Sequence, residues 1–144
     1  MRRMRSRART RLVYLALAAV TIALGLTVHR RGTALTPEAR DVLGDVLWAV
    51  MILWGVSAVV PAASRARRAA TALAICWTVE CSQLYHTPSL DALRATTVGH
   101  LVLGSGFDPR DLAAYAAGIV VGALLDGMVG RRQERSADVR QRAS

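Results

Sequence analysis

The 144-residue sequence contains no lysine: all 19 basic side chains are arginine, set against 10 carboxylates. Cysteine is nearly absent, and the two present, Cys76 and Cys81, stand five apart in one apolar run. On a helix at about 100° per residue that spacing separates them by roughly 140°, so they cannot pair and read as small apolar side chains. Histidine is scarce as well, and His29, His86 and His100 lack metal-ligand spacing. With no H-x-x-x-H or C-x-x-C pair, the sequence predicts no metal and no cofactor. A serine nucleophile elbow and a phosphate-binding glycine loop are missing too, and Gly104-Ser105-Gly106 reads as a turn. These absences exclude the recognisable soluble-enzyme motifs and favour a protein that is not an enzyme.

What is abundant is apolar. Hydrophobic residues make up 53% of the chain and mean hydropathy is +0.30, yet the formal net charge is +9, so apolar and basic residues must be segregated. A basic chain can neutralise nucleic-acid phosphates or can flank membrane spans. The positions decide: Arg2, Arg3, Arg5, Arg7, Arg9 and Arg11 precede the first apolar run, and Arg131, Arg132, Arg135, Arg140 and Arg142 follow the last. The expected partners are therefore membrane lipids, with anionic headgroups at the cytoplasmic face, and not nucleic acid. Homo-oligomer formation is left open.

The pattern predicts an all-α polytopic membrane protein, a four-transmembrane-helix bundle over 12–130 with spans at about 12–28, 42–64, 69–86 and 112–130. A basic N-terminus, 1–11, precedes it, and a basic disordered tail, 131–144, follows. Leu12 to Val28 carries no charge and is followed at once by His29, Arg30 and Arg31, with no small-x-small cleavage site before them, so it reads as a retained helix. Thr36-Pro37-Glu38 is a helix start, leading through Asp41 and Asp45 into the uncharged Val46 to Ser64. The short turn of Arg65, Arg67 and Arg68 makes the second and third spans an antiparallel hairpin. Between Thr87 and Asp111 the residues Leu90, Leu93, Val98, Leu101 and Leu103 predict one short amphipathic helix ended by Gly104. Asp108-Pro109-Arg110-Asp111 opens the last span, with Asp108 as cap and Asp111 in the capping-box position. Gly118 and Gly122 form a small-xxx-small packing face.

Arginines fall unevenly on alternate sides: 14 on the side of the termini and the 65–68 turn, five (Arg30, Arg31, Arg40, Arg94, Arg110) on the other. The positive-inside rule then places both termini in the cytoplasm. On this topology Asp45, Glu80, Gln83, Asp111 and Tyr115 gather in the outer half of the bundle, with Arg94 and Arg110 the cations close enough in sequence to reach them. Carboxylates so gathered cannot all stay ionised unless an arginine sits among them. Glu80 is the sharpest anomaly, roughly 9 Å below the outer end of its span at 1.5 Å per residue, with Cys76 and Gln83 on the same face. Each residue has a plainer reading beside the functional one. Asp45 and Asp111 can merely complement helix N-termini, Glu80 can pin helices by hydrogen bonding, and Asp126 can reach Arg131 or pair with the basic turn.

A family resemblance enters on specific residues. Asp45 with Leu47-Trp48, Glu80-Cys81-Ser82-Gln83-Leu84-Tyr85, Leu93-Arg94, and Leu103-Gly104-Ser105-Gly106-Phe107-Asp108 with Asp111-Leu112 and Tyr115-x-x-Gly118 resemble the bacterial domain-of-unknown-function family 2809. The resemblance covers about Leu12 to Gly130 and implies a small four-helix membrane protein similar to the VanZ-like group, whose link to glycopeptide tolerance points loosely to the cell envelope. The residues that match are Asp45, Glu80, Gln83, Arg94, Asp108, Asp111 and Tyr115, and the resemblance transfers no role to them. Two functions follow as expectations: an envelope accessory protein that binds a lipid-linked or headgroup-like ligand, or a small membrane enzyme or proton-coupled carrier with Glu80 as its titrating group.

Overall fold

The computed structural model describes residues 2–31, 34–104 and 106–142, with side chains from Arg7 to Met128 except those of 31–33, 100, 101 and 105. It is all-α: α1 (Arg2–Arg31), α2 (Pro37–Val59), α3 (Arg65–Ser82), α4 (Pro88–Arg94), α5 (Thr97–Leu103) and α6 (Pro109–Arg142). Among the described residues, three stretches are long and apolar enough to cross a membrane, Arg7–Arg30, Pro37–Val59 and Pro109–Met128, as a membrane protein requires. The segment expected as a third span is not among them, because α3 carries Arg65, Arg67, Arg68 and Glu80 within 18 residues.

Local chemistry explains the helix starts. Thr36 caps α2, its hydroxyl accepting from the Ala39 N–H at 3.3 Å with Pro37 at the first position. Ser64 and Thr87 cap α3 and α4 in the same way, through Arg67 and Leu90. Helix α3 stops at Ser82, four residues short of the expected span end at His86, and Gln83 and Leu84 form a turn. Thr87 and Pro88 begin a new helix there, and no helix continues readily into the residues before a proline. The predicted single helix of the connector is two, broken at Ala95 and Thr96, whose hydroxyl donates to Leu93 O and accepts from Gly99 N. Gly104 ends α5 at φ +68°, in the left-handed region that favours glycine.

The basic tail expected to be disordered is helical: α6 runs on to Arg142. From Arg131 to Arg142 there is no glycine or proline, arginine, glutamine and glutamate favour helix, and Asp138 stands four residues before Arg142. Only Ala143 and Ser144 of that tail lie outside the described residues.

Helix α2 is the centre of the bundle, touching α1, α3 and α6, while α3 also packs on α6. Ala49, Leu53, Ala72, Cys76, Tyr115 and Ile119 fill the space where α2, α3 and α6 meet, and Tyr14, Val50, Trp54 and Ala58 join α1 to α2. The glycine face is used inside the chain. A Cβ on Gly118 would stand 2.5 Å from the Val46 carbonyl oxygen, and one on Gly122 2.7 Å from Leu53 Cδ2, so α6 lies directly on the backbone of α2. Large aliphatics such as Leu12, Leu15, Val20, Val120 and Leu124 face outward, as lipid contact demands.

Candidate functional site

Glu80 lies in the last turn of α3 and is completely buried, 0% exposed. Three donors converge on its carboxylate: the Asp108 backbone N–H on Oε1 at 2.8 Å, and the Tyr115 hydroxyl and Gln83 Nε2 on Oε2 at 3.1 and 3.3 Å. Gln83, one turn on, shares the face of Glu80, while Tyr115 reaches across from α6. The Asp108 bond is the informative one. In a capping box the side chain three residues past the cap takes the cap's own N–H; here that side chain is Asp111, yet Glu80 of another helix accepts the bond. Glu80 thus completes the N-terminus of α6 in trans, where the helix dipole also favours a negative charge.

Asp111 is thereby released from capping. Its carboxyl neighbours that of Asp45, a third of the way along α2. Both residues are half-buried, in contrast to Glu80, and Asp41 lies exposed one turn before Asp45. Asp108 itself serves as the expected cap, with Oδ1 accepting from the Arg110 N–H at 2.9 Å.

The structure therefore brings together Asp45, Glu80, Gln83, Asp108, Asp111 and Tyr115, and leaves out Arg94. That guanidinium is buried but turned away, donating to Ser82 O at 2.7 Å, Tyr85 O at 2.9 Å and Asp91 Oδ1 at 3.4 Å. It satisfies the end carbonyls of α3, where a cation complements the helix dipole, and so ties α4 to α3. Arg110 is exposed and makes no ion pair with the cluster. Among the described residues no cation reaches Asp45, Glu80 or Asp111, and no group of three or more side chains is arranged to hold a metal ion.

A second polar cluster sits at the opposite end of the bundle. Arg68 and Asp126 form an ion pair at 2.8 Å with side chains 7% and 6% exposed. The Tyr14 hydroxyl donates to Asp126 Oδ1 at 2.6 Å and accepts from the Arg68 guanidinium at 2.7 Å. The guanidinium carbon lies 5.3 Å from the centre of the Tyr14 ring, which in turn stacks on Trp54 at 6.0 Å. Of the two partners predicted for Asp126, Arg68 of the expected basic turn holds it, although Arg65, Arg67 and Arg68 stand in the first turn of α3 and the connection to α2 is made by the residues before Ser64. Sequence reasoning offered the basic turn without singling out Arg68 and missed Tyr14; neither has a local spacing signal, since the three residues come from three helices.

A family profile described as "Protein of unknown function (DUF2809)" matches residues 35–119, more than half of the chain though shorter than the 12–130 that the resemblance covers. The matched stretch contains every member of the Glu80 cluster, together with Arg94 and Gly118, whereas Tyr14, Gly122 and Asp126 lie outside it. No solved structure matches this chain. With all the residues that carried the resemblance inside the match, the chain belongs to the family of proteins of unknown function DUF2809.

Proposed function

We propose that this is a multi-pass protein of the bacterial cytoplasmic membrane that acts as a cell-envelope accessory protein, binding a lipid-linked or headgroup-like ligand at its acidic end. In this reading α3 is a fourth, internally packed span, and both termini are cytoplasmic. Its polar groups argue for tolerance in a bilayer: Arg65 and Arg67 sit at its very end, while Arg68 and Glu80 are satisfied by other helices. Charge distribution supports the orientation. The end with Arg68 and Asp126 carries 14 of the 19 arginines, and the end with Glu80 carries seven of the 10 carboxylates. The similarity to the VanZ-like group adds the envelope as the setting.

The observation that carries the ligand reading is the contrast inside the cluster: Glu80 is sealed and fully bonded, whereas the Asp45–Asp111 pair beside it remains half-open. A purely structural cluster has no use for carboxyls left at the rim. The test is a deletion strain in a bacterium that carries the gene, profiled for sensitivity to wall-active antibiotics and for lipid composition. A change restored by the wild-type chain and not by Asp45→Asn is the expected result; an unchanged profile throughout would sink the proposal.

One observation favours a second reading. Among the described residues no cation reaches Glu80, Asp45 or Asp111, so the same carboxyls suit a proton-coupled carrier or membrane enzyme, with Glu80 as its proton-carrying group and Asp45 or Asp111 as relay. Proteoliposomes separate the two: proton-coupled flux or turnover of lipid extracts supports this alternative, and neither activity leaves the binding protein.

A further inference from the structure

We infer that the α4–α5 connector is a membrane-docking surface, seated at the glycerol and acyl level of the leaflet that meets the acidic end of the bundle. Leu84, Tyr85, Leu93, Val98 and Val102 are each between 45% and 71% exposed. So many large apolar side chains left open in one short connector mark a contact surface. The connector offers water little in return. Between Leu84 and Phe107 the only carboxylate is Asp91 and the only arginine is Arg94, and the two pair with each other at 3.4 Å.

What lies against this surface follows from where the connector begins and ends. The Trp77 indole donates to Leu112 O at 3.2 Å, the Tyr115 hydroxyl to Glu80 at 3.1 Å and the Asp108 N–H to Glu80 at 2.8 Å. These bonds close the segment between α3 and α6 into a loop at the head of Pro109–Met128, one of the stretches apolar enough to cross a membrane. The loop therefore sits where that stretch enters the bilayer, and lipid is the neighbour it shares with the outward-facing Val120 and Leu124 of α6.

The two short helices are packed so that their polar groups turn inward and their apolar ones outward. Arg94 points back at the end of α3, donating to Ser82 O and Tyr85 O, and Leu93, about 100° round α4, turns away from those carbonyls. Gly99 lies so close to the Leu93 carbonyl that a Cβ there would collide with it, which leaves Val98 and Val102, one turn apart, as the open stripe of α5. Short amphipathic helices of this kind lie in the interface plane, and an exposed tyrosine suits the same level. With its charges paired, the connector docks through apolar area and not through headgroup charge. Docking holds the Glu80 cluster at the leaflet, since Gly104 packs on Gln83 and Asp108 bonds Glu80.

The experiment uses the full chain in phosphatidylcholine nanodiscs, with Cys81→Ser removing the exposed native thiol and Cys76 left buried. A nitroxide is attached in turn at Leu93→Cys, Val98→Cys and Val102→Cys, with Val120→Cys as the reference inside the bilayer, all at exposed positions. Electron paramagnetic resonance then reads its collisions with oxygen and with a water-soluble nickel chelate. The expected result is that the three connector labels favour oxygen by several-fold, as the Val120 label does. Val98→Asp should shift the Leu93 label several-fold towards nickel while thermal unfolding in detergent stays unchanged. Nickel preference at Val98 and Val102, with oxygen preference kept at Val120, overturns the inference and leaves the membrane protein standing. Nickel preference at Val120 as well overturns the spanning of α6 and the inference with it. Dipolar broadening between Val98 labels that disappears on dilution with unlabelled chain overturns it in favour of a second copy. A Leu93 label that Val98→Asp leaves unmoved overturns it too. None of these readouts depends on a ligand at the acidic end.

Discussion

The two ends of the bundle solve the problem of buried charge in opposite ways. At one end Arg68 meets Asp126 directly, and Tyr14 fills the space between them with a hydroxyl that both donates and accepts, so the cluster is neutral and closed. At the other end Glu80 is neutralised by no cation; backbone, phenol and amide donors surround it, and two further carboxyls are left half-open at its edge. A closed ion pair holds three helices together and needs nothing from outside. An acceptor-rich cluster needs protons or a ligand, which is why the proposed function is placed at the second end and architecture at the first.

The largest effect is expected where the comparison is starkest. Asp126→Ala leaves the Arg68 guanidinium buried without its partner and should lower stability by about 3–5 kcal/mol, read from thermal unfolding in detergent. The apolar double replacement Arg68→Met with Asp126→Leu should recover most of that loss. If the double variant is as unstable as the single one, the cluster does more than hold helices.

Next comes Glu80→Ala, which strips three donors of their acceptor and should cost about 2–3 kcal/mol, less than their sum because the Asp108 N–H can reach water. Glu80→Gln should cost less, since Gln83 can rotate its amide to offer Oε1 to the new side chain, and the Tyr115 hydroxyl can turn. Glu80→Gln as damaging as Glu80→Ala would mean that the charge at the α6 N-terminus matters more than the hydrogen bonds.

A third variant tests the frame common to both ends. Gly118→Val forces a side chain against the Val46 carbonyl and Ala49, and overpacking of this kind should cost about 1–3 kcal/mol. Full stability in that variant would show that α2 and α6 can separate without loss.

The smallest effect is expected at Asp45→Asn, a nearly isosteric change at a half-buried position, so stability should change by no more than about 0.5 kcal/mol. Loss of complementation by this stable protein would sharpen the contrast with Asp126. A large loss of stability instead would make the outer carboxyl pair architectural and erase the difference between the ends.

Much of the outer cluster was legible beforehand because its members carry local signals: a charge deep in an apolar run at Glu80, Gln83 one turn on, and an Asp-Pro-x-Asp helix start at Asp108. Arg94 was misplaced for a physical reason, since nearness in sequence to a carboxylate cluster says nothing about competing backbone carbonyls, and the end of α3 offered Ser82 and Tyr85 oxygens first. The helical run to Arg142 was hidden by composition, because charge density reads as disorder unless helix propensity is weighed against it.

Sequence alone determined the helix starts at Thr36 and Asp108, the apolar stretches of α1, α2 and α6, and the gathering of arginines at one end, all of which depend on neighbours a few residues apart. Tertiary structure decided which polar groups meet. It gave the backbone N–H of the α6 cap to Glu80 rather than Asp111, set Asp111 beside Asp45, and joined Tyr14 to Arg68 and Asp126. The reason is that a buried polar group must find a partner wherever packing provides one, and here the partners stand 28 to 112 residues away in the chain.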